Sequence, residues 1–475
     1  MKVVGRKKTI KRFRDRLTTK KAELIAVIGR RRVGKTFLIK YAFEKEMLFH
    51  FSGLYQGKLE EHLDLFHQKI KQLSLTKEQL KKPKSWFEAF QQLSIVIDKH
   101  LKKKPKVIFL DEFPWMATNK SRFLTAFTHW WNDYAVNKKG LIVVICGSSA
   151  SWMINKVLNN KGGLHNRVTD KIILEPFDLT DTKELLKYKG IQISNYDIIR
   201  LYMAVGGIPF YLEQMNKGES YVQFIDRVCF SKDGILRGEY DNLFESLFEQ
   251  SEKHQTIVEL LNKFPKGLFR EEIISKSGLA SGGGITNILE ELEVSGFIKS
   301  NLPYGKKKKD KLYKLKDNFT LFYLKFVRNS KLSEGNVWEK IVSKPSFKSW
   351  SGLAFENICM YHISKIKEAL QIAGIYTESS AWQHRGTDEM PGAQIDLLLD
   401  RADNIMSMCE MKFVSEPFAI TKDYSKKILQ KKSAFNHFTK NRKEVFVTFV
   451  TTFGLIDNMY RKQIVQNELT IDDLF

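Results

Sequence analysis

The chain has 475 residues, is 43% hydrophobic and 12% aromatic, and carries a net charge of +24. That length accommodates about three domains. The composition excludes a disordered chain, and the absence of any apolar run of about eighteen residues excludes a membrane-spanning helix. The positive balance favours an anionic partner, nucleic acid ahead of an anionic membrane surface, with lysines scattered over a solvated surface as the competing reading. Cys146, Cys229, Cys359 and Cys409 are far apart and form no CxxC pair, so they read as reduced core thiols of a cytoplasmic protein. The opening MKVVGRKKTI lacks the apolar stretch of a leader.

From Lys2 to Lys21 there are ten Lys or Arg residues against one acid, Asp15. Gly5 and Arg6 lead into a basic amphipathic helix that either contacts nucleic acid or presents a solvated face. Residues 24–28 are a short aliphatic run and read as a buried parallel strand. Gly29, Arg30, Arg31, Arg32, Val33, Gly34, Lys35 and Thr36 then fit GxxxxGK[ST] in full, and Phe37 continues into a helix. In such a loop the backbone N–H groups curl around phosphate oxygens, and the helix N-terminus adds partial positive charge. Lys35 is placed to bridge the β- and γ-phosphates, and the Thr36 hydroxyl to ligate Mg²⁺.

Residues 107–110 form a second buried run that ends in Asp111 and Glu112. Adjacent acids closing an aliphatic strand are costly to bury without a cation. Asp111 suits Mg²⁺ held through water, and Glu112 suits the water that attacks phosphorus. A third run, 141–146, is followed by Ser148 and Ser149. Ligands of α/β sheets bind beyond the carboxyl ends of strands, so these serines are candidate γ-phosphate sensors; a plain Gly-Ser-Ser turn is the alternative.

GRRRVGKT, VIFLDE, VVICGSS, LHNRV…IILEPF (164–177) and AVGGIPFYLE (204–213) occur in that order. Together they resemble the archaeal-type ATPases of the STAND/AAA-like branch over roughly residues 1–225. The resemblance implies ATP and Mg²⁺ as cofactors, a nucleotide-facing N-terminal segment, and Gly207 and Pro209 near the adenine. It also implies Arg167 as an arginine sensor or finger; a surface salt bridge is the other reading of that residue. Residues 1–177 are the expected ATPase core and 178–240 a helical lid, with Asp178 or Thr180 capping a helix over 181–189.

Residues 241–330 show helical spacing in Ile257, Leu260 and Leu261, a second short helix in FREEIISKSGL, and a third through Ile285, Ile288, Leu289 and Leu292. GFIKS and KLYKLKD follow as two strands around a turn rich in lysine (Lys306–Lys309, Lys311, Lys314, Lys316). This is the order of a winged helix-turn-helix. The lysines suit phosphate contacts, but the third helix carries Glu290, Glu291 and Glu293 and no basic residue, which suits a structural module equally well.

Residues 331–475 start with a linker, 329–346. A helix with the stripe Phe355, Ile358, Cys359, His362, Ile363 and Ile366 follows. Next come a strand and polar loop in IAGIYTESSAWQHRG, strands over 394–399 and 405–413, an amphipathic helix, and a strand over 443–454. Glu356 lies beside the helical stripe. Asp396, Glu410 and Lys412 interrupt the aliphatic strands, and alternation puts Glu410 and Lys412 on one face. The set resembles the PD-(D/E)xK nuclease-like fold appended to many archaeal-type ATPases. The resemblance implies that Glu356, Asp396 and Glu410 hold a metal while Lys412 acts on water or on the pentavalent phosphate. A scaffold without nuclease activity is the alternative.

The chain is thus expected to be α/β: a P-loop NTPase domain with helical lid, a winged helix-turn-helix, and a C-terminal restriction-endonuclease-like domain. Its expected function is Mg²⁺-dependent ATP hydrolysis coupled to a nucleic-acid-binding, DNA-preferring or nuclease-like module. The alternative is a nucleotide-controlled switch that assembles as a homo-oligomer or docks a protein partner.

Overall fold

Continuous aliphatic runs become the buried centre of a parallel sheet. The computed structural model describes residues 3–73, 80–101, 104–159, 163–164, 166–248, 250–307, 310–330, 336–386 and 391–475. Lys2, His165, Lys308, Lys309 and residues 331–335 of the expected linker lie outside the described residues. The chain divides into two compact units, Met1–Pro176 and Phe177–Phe475. Among the described residues no helix is long and apolar enough to cross a membrane, and all four cysteines are free and buried.

The first unit holds β1 (Glu23–Ile28), β2 (Met47–Ser52), β3 (Lys106–Asp111), β4 (Leu141–Gly147) and β5 (Asp170–Ile173) in the order β2-β3-β4-β1-β5. All neighbours are parallel. Every residue of β1 and β4 is buried, as helices on both faces of a parallel sheet require. One face packs on an aromatic cluster that includes Phe66, Trp86, Phe90, Phe123 and Phe127. The basic N-terminal helix, Lys7–Asp15, buries Phe13. Arg12 and Arg16 of this segment both grip Asp170 on β5, Arg12 also reaching the Lys171 carbonyl. These two cations thus tether the segment to the sheet.

The second unit begins with helices Leu179–Tyr188, Asn195–Val205 and Pro209–Leu212. Asp178 caps the first, accepting from the Asp181 N–H at 2.7 Å, so the helix starts two residues before the expected 181. Helices Ser251–Lys263, Arg270–Ser277 and Gly283–Val294 follow, with a three-stranded antiparallel sheet of β6 (Leu268–Phe269), β7 (Ile298–Asn301) and β8 (Leu312–Leu315) in the order β6-β8-β7. Two of the three glutamates on the third helix work internally. Glu291 meets His254 at 2.7 Å, and Glu293 accepts from the Ser300 N–H and hydroxyl at 2.8 and 2.7 Å. The root of the β7–β8 hairpin is anchored, with Tyr304 N–H donating to the Ala381 carbonyl and its ring packing on Phe435.

The last sheet runs β13-β12-β11-β10-β9, with β9 (Thr377–Gly386), β10 (Pro391–Arg401), β11 (Ile405–Lys412), β12 (Glu444–Thr451) and β13 (Asn467–Thr470). β9, β10 and β11 pair antiparallel, and β11, β12 and β13 pair parallel, with helix Lys422–Thr439 connecting β11 to β12. Three expectations are corrected here. The strand and polar loop expected within 372–386 are one strand from Thr377 to Gly386, on the sheet's edge, where one face needs no apolar side chains. Helix Val337–Val342 lies inside the expected linker, because Trp338 is buried against Phe230, Phe322 and Trp350. The helix through Glu356 is two helices, Pro345–Tyr361 and Ile363–Ala369, separated at His362.

Candidate functional site

The loop after β1 and the carboxyl ends of β3 and β4 meet around Lys35. Leu174 N–H donates to the Ile28 carbonyl at 2.7 Å, which brings the chain after β5 over Gly29. A Cβ at Gly29 would lie 2.4 Å from the Leu174 carbonyl oxygen, so this position accepts only glycine. Arg30 and Val33 are buried, Arg31 and Arg32 half-buried, and Phe37 exposed. Helix Lys35–Ala42 starts at Gly34. Lys35 is 6% exposed and its Nζ donates to the Gly29 and Arg30 carbonyls at 2.8 and 3.0 Å. Those are donor directions that phosphate oxygens of a bound nucleotide can take over. Arg6 Nη2 reaches the Val33 carbonyl at 3.5 Å, which joins the N-terminal segment to the same loop.

The acids stand where the sequence predicted. Thr36 Oγ1 donates to Asp111 Oδ2 at 2.7 Å, and Asp111 Oδ1 accepts the Glu112 N–H at 3.0 Å. Glu112 has φ 45°, a left-handed conformation of order 1–3 kcal/mol in cost for such a residue. Its carboxylate is held by Ser148, from the hydroxyl at 2.5 Å and from the N–H at 3.1 Å. The Ser148 Oγ also lies 3.5 Å from Lys35 Nζ. Cation, hydroxyl, two acids and a serine thus form one connected cluster at the strand ends. The Thr36 hydroxyl and Asp111 carboxylate are hard oxygen donors within one hydrogen bond of each other, a pair that fits Mg²⁺. Arg167 is exposed, and its side chain makes no hydrogen bond or ion pair among the described residues.

The family model for an ATPase domain predominantly from Archaea matches residues 3–215. Over residues 3–215 the chain is similar to archaeal-type ATPase domains. An uncharacterized protein of Methanocaldococcus jannaschii is 26% identical over 389 residues, covering 81% of this chain and 82% of its own. A Walker-type ATPase of Pyrococcus abyssi aligns with 68% of this chain and 96% of its own at 16% identity, with a TM-score of 0.49. The ORC2 protein of Aeropyrum pernix, solved in ADPNP–ADP complexes, aligns with 72% of this chain and 96% of its own at 12% identity, with a TM-score of 0.40.

The ATPase domain's last stretch carries Gly207 and Pro209. Both belong to the second unit. A Cβ at Gly207 would sit 1.9 Å from the Phe177 carbonyl oxygen, and the Phe177 N–H donates to the Gly207 carbonyl at 2.7 Å. Glycine at this position therefore has a packing reason of its own. Pro209 opens helix Pro209–Leu212, where its missing N–H costs nothing.

A second cluster surrounds the acids of the C-terminal sheet. β10 and β11 pair from Leu397–Cys409 to Asp400–Met406, and one step further along that register Asp396 faces Glu410. A register slip between Ile395 and Leu398 on the β9 side adjoins this point, a common device for re-aiming side chains beside a site. Gln394 Nε2 donates to Asp396 Oδ1 at 2.7 Å. Glu410 is engaged from helix Lys422–Thr439, by Lys431 Nζ at 2.5 Å and the Tyr424 hydroxyl at 3.0 Å. Lys412 Nζ lies 4.0 Å from Glu410 Oε2 and 5.3 Å from the Tyr424 ring centre.

Glu356 approaches from helix Pro345–Tyr361. Burial, then the Asp396 carboxylate, push its carboxyl up to about 7, against the pull of Lys314 and Lys412. Glu356, Asp396 and Lys314 line two cavities of about 580 and 710 Å³. The four expected residues Glu356, Asp396, Glu410 and Lys412 are therefore brought within electrostatic reach. The three acids do not converge on a single point: among the described residues no group of three or more His, Cys, Asp or Glu is close enough to hold a metal ion. Sequence reasoning missed Gln394, Tyr424 and Lys431. It groups Lys314 with the other lysines of the wing, whereas Lys314 shares the wall of both cavities with Glu356.

Proposed function

We propose that the chain hydrolyses ATP with Mg²⁺, and that the nucleotide cycle controls a winged helix and a PD-(D/E)xK nuclease-like module that engage nucleic acid, DNA first. The observation that carries the ATPase half is the connected cluster of Lys35, Thr36, Asp111, Glu112 and Ser148. In this reading the N–H groups of the loop from Gly29 to Thr36 cradle the phosphates and Lys35 neutralises the β- and γ-oxygens. Thr36 and Asp111 would hold Mg²⁺, whose chemistry there would be to offset charge on the phosphoryl oxygens. Glu112 orients the attacking water, and Ser148 fixes that carboxylate until a nucleotide is bound. Arg167 is the candidate finger, its exposed guanidinium being unclaimed among the described residues; Gly207 and Pro209 are the candidate adenine contacts. Lys35→Ala is expected to abolish ATP binding and phosphate release; turnover at the wild-type rate removes the reading.

The nucleic-acid half is supported by element order. Three helices with a three-stranded antiparallel sheet suit a winged helix, and the mixed sheet carrying Asp396 and Glu410 suits the nuclease-like fold. A second reading is favoured by Glu410, which already spends its carboxylate on Lys431 and Tyr424. In it the C-terminal module binds nucleic acid or a protein partner without cutting, and ATP controls assembly. Cleavage assays on plasmid and single strands with Mg²⁺ or Mn²⁺ separate the two: activity lost in Asp396→Ala selects the nuclease. A change in particle size with an ATP analogue, without cleavage, selects the switch.

A further inference from the structure

Lys299 on β7 stands directly opposite Lys314 on β8. Like charges at such paired positions are unfavourable unless an anion sits between or beside them. Neither lysine has a hydrogen-bond or ion-pair partner among the described residues, and both are half-buried. Burial, and then Lys316, depress the Lys299 ammonium's hold on its proton, the strain that a bound anion relieves. All three lysines line the cavity of about 580 Å³ that Glu356 and Asp396 also line. Trp350 lines it too; it is 5% exposed, and its indole N–H has no partner.

A wall of lysines, the edge of an aromatic ring and two acids describe a particular ligand. Phosphate satisfies the lysines, a flat base can lie along the edge that Trp350 gives to the cavity, and the acids flank the phosphodiester. The volume is within the range of small-ligand pockets, about 300–1,000 Å³. It admits one or two nucleotides and not a duplex, whose major groove alone is about 12 Å wide. The geometry points to a binding site for an unpaired nucleic-acid strand, with a backbone phosphate on Lys299 and Lys314 and the adjoining nucleotide beside Trp350, Glu356 and Asp396. The inference rests on the proposed nucleic-acid role of the second unit and names the substrate class for it. It concerns the inward face of the hairpin, whereas Lys306, Lys307 and Lys311 are on its exposed part.

The test is equilibrium binding of labelled single-stranded DNA and RNA, the matching duplex, and a free mononucleotide. It is done in EDTA, so that cleavage does not intervene. Full-length wild type is compared with Lys299→Gln, Lys314→Gln, and the outer control Lys306→Gln/Lys307→Gln. Unaltered ATP turnover and thermal melting identify variants that remain folded, and either single variant suffices. The expected result is single-strand binding at least tenfold tighter than duplex, weakened at least tenfold by Lys299→Gln or Lys314→Gln and less than threefold by the outer pair. Strand binding that ignores both inner variants overturns the inference and leaves the nucleic-acid role standing, as does equal affinity for duplex. No strand binding at all overturns both, mononucleotide binding being expected at the Lys35 loop in any case.

Discussion

Replacing Glu356 by glutamine should stabilise the protein, and only at neutral and alkaline pH. Burial and the Asp396 carboxylate raise the Glu356 carboxyl from 4.5 to about 7. A raised folded-state value means that the folded chain binds more protons than the unfolded one between those two values, so stability falls as pH rises through the window. The unfavourable contribution is absent below pH 4.5, grows towards pH 7 and is complete above it. At 1.36 kcal/mol for each pKa unit, the full span corresponds to about 3 kcal/mol; partial solvent access to the side chain reduces this to about 2 kcal/mol. Glutamine keeps the shape and removes the charge. Thermal melts of wild type and Glu356→Gln should therefore coincide near pH 4.5 and separate by about 3–6 °C at pH 8. Millimolar Mg²⁺ should narrow the gap if the acids take the cation, because it removes the penalty from the wild type alone. A shift of equal size at both pH values, or destabilisation at pH 8, refutes the electrostatic account.

Glu112→Gln should retain ATP binding while phosphate release falls by about two orders of magnitude or more, read by nucleotide titration and single-turnover assays. Gly207→Ala should sharply lower the melting temperature or the yield of folded protein, since its Cβ would stand 1.9 Å from the Phe177 carbonyl oxygen; a normal melting curve contradicts the packing reason. His362 is buried, with Nδ1 bonded to the Ile358 carbonyl at 2.8 Å and Nε2 accepting the Leu179 N–H at 3.0 Å, and burial lowers its pKa. Stability from the neutral ring is present above pH 6.5 and lost as pH falls through the lowered value. His362→Asn should flatten the fall in melting temperature between pH 7 and 5; an unchanged acid slope excludes His362 as its source.

The parts of the fold that were legible in the sequence are those with one dominant local signal. β1, β3 and β4 are aliphatic runs that end in chemistry-bearing residues, and a strand buried on both faces has no other way to be written. β9 was legible only in part because an edge strand keeps one face wet: polar residues such as Glu378, Ser379 and Gln383 resemble a loop until their partners on β10 are known. Helix Val337–Val342 escaped because a single buried ring, Trp338, carries its packing. The break at His362 escaped because the apolar stripe continues through it, and only the acceptor needed by Leu179 explains why the backbone stops there. At the acidic site the same division holds. Asp396, Glu410 and Lys412 were visible as charges misplaced in strands. Tyr424 and Lys431 lie 14 and 21 residues from Glu410 on a helix full of lysines, and nothing local marks the one that turns inward.

Lys431 decides how the acidic cluster balances its charge. Glu410 is 6% exposed in its side chain and Lys431 26%; removing either partner leaves the other poorly solvated, which costs more than the pair itself contributes. A divalent cation at Glu410 therefore competes with an ammonium already in place. Lys431, at 26% exposure, is the better solvated of the two, so it is the partner that loses less on release to water. Among the described residues Asp396 and Glu356 have no such ion-paired ammonium: Gln394 donates a neutral hydrogen bond to Asp396, and Lys314 and Lys412 act on Glu356 only through space. The cluster is thus balanced on its Glu410 side and short of positive charge on its Glu356 side. Glu356 and Asp396 line the same cavity as Lys299 and Lys314, so a strand phosphate on the lysines is held best with a cation between it and the two acids.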